Sequence, residues 1–320
     1  MDQSLRIGLI GAGRIGWPLE GRLGQSLSTH ADAVWADPNC HLQAVIEPNR
    51  SNPIWLNREN VPVFENLSHA LDEQKFDAFI IATPTTSRMK ILQQLLDVDL
   101  KGVISEKPIS CHGADSLEIV QRFDKKNIPF WVNLSRRFVK QYEELRDQFQ
   151  NHERVISARI AYAKGIKHNG IHALDLAAML FGEIRRCQVL DSRVDFEPQD
   201  PTLTLFAQFE RCPQFVLQGL DHRVVTHFEI DIWTDKGRYI IDRDHTRLRR
   251  FEFHPRPTGE ELMLELVETL PIDHHQSFAN LLIDVSAGIR QGKEPAVKPK
   301  DVARLEILID RLIGESCAKD

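Results

Sequence analysis

Much that would narrow the function is scarce in this chain. No two cysteines form a C-x-x-C pair; Cys40, Cys111, Cys187, Cys212 and Cys317 are scattered singly, which fits reduced thiols in a cytoplasmic protein. No apolar run approaches the roughly 20 residues of a membrane span. The opening, MDQSLRIGLIG, has no basic n-region and no cleavage-like site, so no signal peptide is expected. Basic charge is not in excess either. Against 46 acidic residues stand 40 basic ones, a net charge of −6. That argues against a general affinity for nucleic-acid backbone or anionic membrane, while leaving room for a local basic pocket. Internal repeats and low-complexity tracts are missing as well.

What remains is an ordinary core-forming composition. Hydrophobic residues are 42% and charged residues 27% of 320. This suits a globular protein of about two domains. Up to residue 134 the texture is alternating. LRIGLI (Leu5–Ile10), HLQAVIE ending at Glu47, FDAFIIAT (Phe76–Thr83), GVISEKP and IPFWVN read as buried strands. Helical patterns run at 87–96 and through ADSLEIVQRFDKK. Strands alternating with helices predict a parallel, doubly wound α/β sheet in a domain spanning 1–134. From 135 to 320 consecutive strands replace the alternation: RVISARIAYAK, TLTLFAQF, QFVLQGL, HFEIDIWT and RYIID. Many alternate apolar and polar residues, as in a sheet with one open face. A helix at 171–181 interrupts, and helices at 277–290 and 301–315 close the chain. The second domain is expected to be α+β, with a largely antiparallel open sheet.

Gly11, Gly13 and Gly16 form G-x-G-x-x-G directly after the first strand, around Arg14 and Ile15. The first glycine allows the tight turn, the second lets backbone approach a pyrophosphate, and the third allows close helix–strand packing. Glu47 ends the second strand and can accept hydrogen bonds from both ribose hydroxyls while repelling a 2′-phosphate. That favours NAD over NADP, with Arg50 as an offsetting phosphate ligand. Glu47 lies well beyond the usual gap of about 20 residues, and Pro18 would break a helix begun at the loop. An insertion, WPLEGRLGQSLST, is therefore expected between loop and helix, with the helix restarting near Thr29.

Four segments resemble the Gfo/Idh/MocA family, which includes glucose–fructose oxidoreductase and inositol dehydrogenases. They are GLIGAGRIG, IIATPTTSR at 80–88, ISEKPIS at 104–110 and NGIHALDLAAMLFG at 169–182; VNLSRRF and FANLLIDVSAGIRQGKEP also look like the family's linker and C-terminal segments. The resemblance covers nearly the whole chain. It implies a Rossmann domain with NAD contacts from the glycine loop, Glu47, Arg50, Thr83, Pro84, Glu106 and Lys107. It also implies that Lys107 and His172 flank the carbon that exchanges hydride. Two positions depart from the pattern. His168 stands where an acidic or amide residue is usual, and Arg88 where a histidine is usual. Glu106 would orient the lysine or contact the nicotinamide side. From its own position, Lys107 ends a parallel strand, the edge where open α/β sheets bind ligands, and Pro108 would fix its turn.

His168 and His172 are four apart, a spacing that could hold a metal. Gly170 between them disfavours one continuous helix, and no third firm ligand is evident, so no metal site is expected. His172 falls in the first turn of the 171–181 helix with His168 in the loop before it. Asp175 is expected to support the helix start. SRRFVK and YAKGIKHNG bring Arg136, Arg137, Lys140, Lys164 and Lys167 near the expected pocket. With Arg136, Lys164, His168 and Asn169 as substrate contacts, an anionic or nucleotide-linked sugar is suggested. Solvated basic loops would give the same pattern. The expected function is NAD-dependent hydride transfer to or from a sugar-like alcohol or ketone. The alternatives are an NAD-using glycosidase-type enzyme and a non-catalytic sugar or nucleotide sensor. The open sheet face needs covering, and family relatives associate through it, so a homodimer or homotetramer is expected.

Overall fold

The computed structural model of the chain describes residues 4–18, 27–56, 61–242, 246–256, 259 and 261–317. Six short strands form the first sheet: β1 (Leu5–Ile10), β2 (Cys40–Ile46), β3 (Val63–Phe64), β4 (Ala78–Ile81), β5 (Gly102–Glu106) and β6 (Phe130–Asn133). All neighbours are parallel, in the order β3-β2-β1-β4-β5-β6. Helices α1 (His30–Ala36), α2 (Leu67–Glu73), α3 (Thr85–Leu95) and α4 (Gly113–Lys125) connect them. Ile7, Leu9, Phe79, Ile80, Val103 and Ile104 are fully buried, as the unbroken apolar runs of a doubly covered sheet require. Each contributes about 1.5–3 kcal/mol over an exposed position. Strand order reverses between β1 and β4, the switch point where such sheets bind ligands. The residues that follow β1, β2, β4 and β5 there include Gly11, Glu47, Thr83 and Lys107. β3 and α2 were not expected: a two-residue strand is too short to show a period.

The second sheet has eight strands: β7 (Val155–Ala163), β8 (Ile184–Glu197), β9 (Asp200–Phe209), β10 (Phe215–Leu220), β11 (Phe228–Thr234), β12 (Gly237–Ile241), β13 (Arg247–Pro255) and β14 (Leu262–Pro271). Their order is β14-β13-β12-β11-β7-β10-β9-β8, antiparallel throughout except for β7 beside β10. Helices α5 (Lys140–Asn151) and α6 (Ile171–Phe181) bury their apolar sides in the same core as the sheet's inner face. The α5, β8, β13 and β14 segments were not anticipated. β8, IRRCQVLDSRVDFE, is an edge strand mostly open to solvent, so it needs no apolar alternation to be stable.

The last helices are α7 (Ser277–Gln291) and α8 (Pro299–Cys317). They change the expected division at 134/135. One compact unit comprises 1–138 and 275–304, the other 139–274 and 305–320. The reason is packing on Trp131 of β6. Phe278, Leu281, Leu282 and Val285 of α7 join the parallel-sheet core, and a Cβ at Gly288 would stand 2.3 Å from the Trp131 ring. Asn280 Nδ2 also donates to Phe138 O at 2.8 Å. A continuous second domain would leave that apolar helix face bare. No helix among the described residues is long and apolar enough to cross a membrane.

Candidate functional site

In the parallel-sheet unit the glycine loop is shaped by what each position excludes. Gly11 has φ +97°, and a Cβ there would meet Ala82 O at 2.9 Å. At Gly16 it would lie 2.2 Å from Gly11 O. Around Gly13 a Cβ would meet nothing within 4 Å. So Gly11 and Gly16 serve the fold, while Gly13 keeps open the space over an exposed stretch that includes Arg14 and Ile15. That is the cradle a pyrophosphate needs, and the loop fits a dinucleotide. The start of α1 is bonded to the end of the loop: His30 N donates to Ile15 O and Ala31 N to Gly16 O, both at 3.0 Å. Thr29 caps α1 through a reciprocal capping box with Asp32. Of the expected insertion, residues 19–26 lie outside the described residues.

Glu47 is 8% exposed and braces this loop. Its Oε2 accepts from Ala12 N and its Oε1 from Asn49 N, both at 2.9 Å. Each oxygen retains lone-pair capacity for a ribose hydroxyl. Arg50 is exposed and pairs with Glu65. A 2′-phosphate would have to displace that carboxylate, so Arg50 offsets the preference set by Glu47 less than its sequence position suggests.

The ends of β4 and β5 are tied by Arg88 of α3. Its guanidinium, 3% exposed, donates from Nη1 to Glu106 O at 2.9 Å and to Pro108 O, and from Nη2 to Thr83 O. Thr83 Oγ1 is buried with no hydrogen-bond partner among the described residues, and Pro84 opens α3. The Lys107–Pro108 peptide is cis. Glu106 turns inward: its Oε1 meets His30 Nε2 at 2.9 Å and accepts from Asn133 Nδ2 at 2.6 Å. Burial alone would push this carboxyl up, but His30, Asn133 and the charge of Lys107 outweigh it and hold it below the ordinary value. The Glu106 side chain, expected to orient the lysine or contact the nicotinamide side, is engaged by α1 and β6. His30 and Asn133 had escaped notice, because the displaced helix hides the register of His30 against β5.

In the antiparallel-sheet unit the segment before α6 is a π-helical turn, Gly165–Gly170, rather than the expected loop. Gly170 does not break the helix there; a Cβ would lie 2.5 Å from Ile166 Cδ1 and 2.8 Å from the Tyr162 ring, so glycine is what lets the turn pack. Asp200, at the start of β9, caps the turn by accepting from Lys167 N at 2.6 Å and His168 N at 2.9 Å. Thr202 Oγ1 accepts from Gly165 N at 2.9 Å and donates to Asp195 Oδ1 at 2.7 Å. Burial pushes the Asp200 carboxyl up to about 6, with the two amides opposing it. Lys164, at φ 78°, sets its ammonium 4.9 Å above the Phe196 ring, and the exposed His168 ring lies 4.9 Å from the same ring. Asn169 Nδ2 donates back to Ala163 O at 3.0 Å. His172, half-buried, stands in the first turn of α6, with Asp175 buried on the same helix. Among the described residues no three His, Cys, Asp or Glu side chains form a metal-sized cluster.

Two of the five expected basic residues are engaged in ion pairs. Lys167 pairs with Asp310 at 2.6 Å, and Lys140 with Glu144 at 3.3 Å. Arg136 and Arg137 sit in a 3-10 turn at the end of the parallel-sheet unit, while Lys164, His168 and Asn169 belong to the other.

Residues 5–134 match the family described as an oxidoreductase family with an NAD-binding Rossmann fold, GFO_IDH_MocA. That match covers 130 of the 320 residues, and it likens the parallel-sheet part of the chain to the Gfo/Idh/MocA oxidoreductases. It is 29% identical over 175 residues to inositol 2-dehydrogenase from Corynebacterium glutamicum, covering 53% of this chain and 47% of that protein; the aligned part spans about half the length of the relative. Its fold is shared with an oxidoreductase from Agrobacterium radiobacter solved with NAD+, L-tartaric acid and magnesium (TM-score 0.76, 14% identity, 99% of this chain and 97% of that one). A protein assigned as an NADPH-dependent oxidoreductase from Desulfitobacterium hafniense shares it too (TM-score 0.80, 16% identity, 100% and 97% covered). At such identities the structures speak for the fold alone. The matched stretch carries the glycine loop and an acidic residue after β2.

Proposed function

We propose that the protein is an NAD-dependent dehydrogenase or reductase acting on a CH–OH group of a polyol or sugar-like substrate. The observation that carries this reading is the ligand edge of the parallel sheet. There the open Gly13 cradle, Glu47 and the clamped Lys107 turn follow strands of one sheet. Glu47, with the neighbouring Arg50 engaged by Glu65, supports NAD ahead of NADP. When bound, the nicotinamide supplies the hydride acceptor or donor. His172 takes the hydroxyl proton as general base during oxidation and returns it in reduction. Lys107 donates a hydrogen bond to the same oxygen and stabilises its developing negative charge. The finer substrate reading, an anionic or nucleotide-linked sugar, rests on Arg136, Arg137, Lys164, His168 and Asn169, because Lys140 and Lys167 serve internal ion pairs.

A homodimer or homotetramer formed through the outer face of the eight-stranded sheet belongs to this reading. Its support is a cross-strand row of partly buried side chains, Phe206, Val216, Arg159, Asp231 and Ile240, in register on one face. Native mass spectrometry of the purified protein should find bound NAD(H) and an even subunit number. Polyols, inositols, neutral sugars and uronates then form the panel, read by nicotinamide absorbance. Bound nucleotide without turnover of any alcohol or ketone would favour the sensor reading; release of a glycosidic leaving group would favour the glycosidase-type one.

A further inference from the structure

We infer that Arg88 is a positioning residue for Lys107, an inference that rests on the reading of Lys107 as the donor to the reacting oxygen. β5 ends at Glu106, and beyond it no strand neighbour holds the main chain in register. The two carbonyls that flank Lys107, those of Glu106 and Pro108, both accept from Arg88 Nη1, while Nη2 reaches Thr83 O at the end of the neighbouring strand. One planar group carried by α3 thus pins the turn on both sides of the lysine and ties it to β4.

Charge-assisted bonds to a planar donor fork are both strong and directional. Rotating either flanking peptide would strip a hydrogen bond from a cation that is 3% exposed, and a buried charge without such bonds is costly. A lysine at position 88 would bring a compact point charge in place of the fork, unable to reproduce three fixed directions. The Glu106 side chain is independently immobilised by His30 and Asn133. The residue before Lys107 is therefore locked at its carboxylate, and the backbone around Lys107 is locked by Arg88. The consequence is functional because a displacement of about 1 Å in a catalytic group can cost about 100-fold in rate.

The test uses the full-length protein with Arg88→Met, which keeps bulk and removes the fork, and Arg88→Lys, which keeps charge. Arg88→Gln replaces the first if it does not fold. Three quantities are read: NAD(H) affinity, kcat and KM for the best alcohol, and the acetylation rate of Lys107 by acetic anhydride across pH. The last is followed by mass spectrometry against exposed Lys236 and needs no turnover. For a folded Arg88→Met protein, kcat should fall at least about tenfold with KM and NAD(H) affinity within about twofold. The pH profile of Lys107 acetylation should shift relative to Lys236, and Arg88→Lys should recover only a minor part of the rate. An unchanged Lys107 profile in a folded variant overturns the inference, as does full rescue by lysine. If the unsubstituted protein turns over no alcohol or ketone, the functional reading fails instead, and the acetylation profile still decides whether Arg88 governs Lys107.

Discussion

Two buried carboxylates stand beside the two candidate catalytic stretches, one in each unit, and they are pulled in opposite directions. Glu106 precedes Lys107 and is held low, because a histidine and an amide donate to it and a lysine is close by. Asp200 caps the turn that leads to His172 and is pushed up to about 6, because burial outweighs two backbone amides and Glu197 adds like charge. The contrast separates two ways of fixing a site. In the parallel-sheet unit the lysine turn is secured by ionised side chains, a buried guanidinium and a buried carboxylate. In the antiparallel-sheet unit the histidine turn is secured by backbone capping, from an acid whose own charge is sensitive to pH.

The largest effects should come from the two residues these arrangements serve. His172→Ala should lower kcat by about 10²–10⁴, and Lys107→Ala by about 10²–10³, with NAD(H) affinity retained in both. Single-turnover hydride transfer measures this, and near-normal transfer in His172→Ala would make it a core histidine and remove one side of the comparison. If both act on one oxygen as proposed, the double variant should lose less than the product of the single losses.

Next in size is the glycine loop, which separates a fold requirement from a ligand requirement. Gly16→Ala should destabilise the parallel-sheet unit by about 1–3 kcal/mol, because its Cβ collides with backbone. Gly13→Ala should leave Tm unchanged and weaken NAD(H) binding about tenfold or more, the side chain filling space meant for ligand. A thermal shift at Gly13→Ala, or none at Gly16→Ala, breaks this division. For Glu47→Ser, NAD(H) affinity should drop by about tenfold with that for NADP(H) little changed, narrowing the gap between the two. Equal affinities in the unsubstituted protein would reject the ribose role.

The smallest effect tests the carboxylates themselves. A carboxyl whose pKa is higher folded than unfolded stabilises at low pH, and that stability is lost as pH rises through the folded value. Asp200 should therefore cost the antiparallel-sheet unit stability between about pH 4 and pH 6. Asp200→Asn should flatten Tm across that window. Glu106 has the opposite sign: its contribution is present above its unfolded value near 4.5 and is lost as pH falls through its lower folded value. Heat unfolding of Asp200→Asn and Glu106→Gln at several pH values distinguishes the two, and parallel slopes for both variants would void the contrast.

Much of the cofactor half could be read directly. Gly11, Gly13, Gly16, Glu47 and the Lys107-Pro108 pair are local signals: a turn, a strand end and a fixed dihedral each involve a few adjacent residues. The restart of the first helix near Thr29 was legible from Pro18, which ends any helix begun at the loop, and the structure adds a capping box there. The side chains that hold these groups were not. Arg88, His30 and Asn133 reach Glu106 and its turn from 18, 76 and 27 residues away. Gly170 was misread because glycine lowers helix propensity, yet here packing against Tyr162 and Ile166 decides its conformation.

The strand–helix alternation up to residue 134 and the glycine loop with its acidic partner were determined by the amino-acid sequence alone, because periodicity and turn chemistry act over short stretches of chain; the candidate pair Lys107 and His172 came from the resemblance of their motifs to a family. Tertiary structure decided that α7 joins the parallel-sheet core, that Arg88 clamps the lysine turn, and that Asp200 rather than a nearby residue caps the turn before His172. Those outcomes depend on which apolar face and which buried polar group must be satisfied once the chain is packed, and such demands exist only between segments that folding brings together.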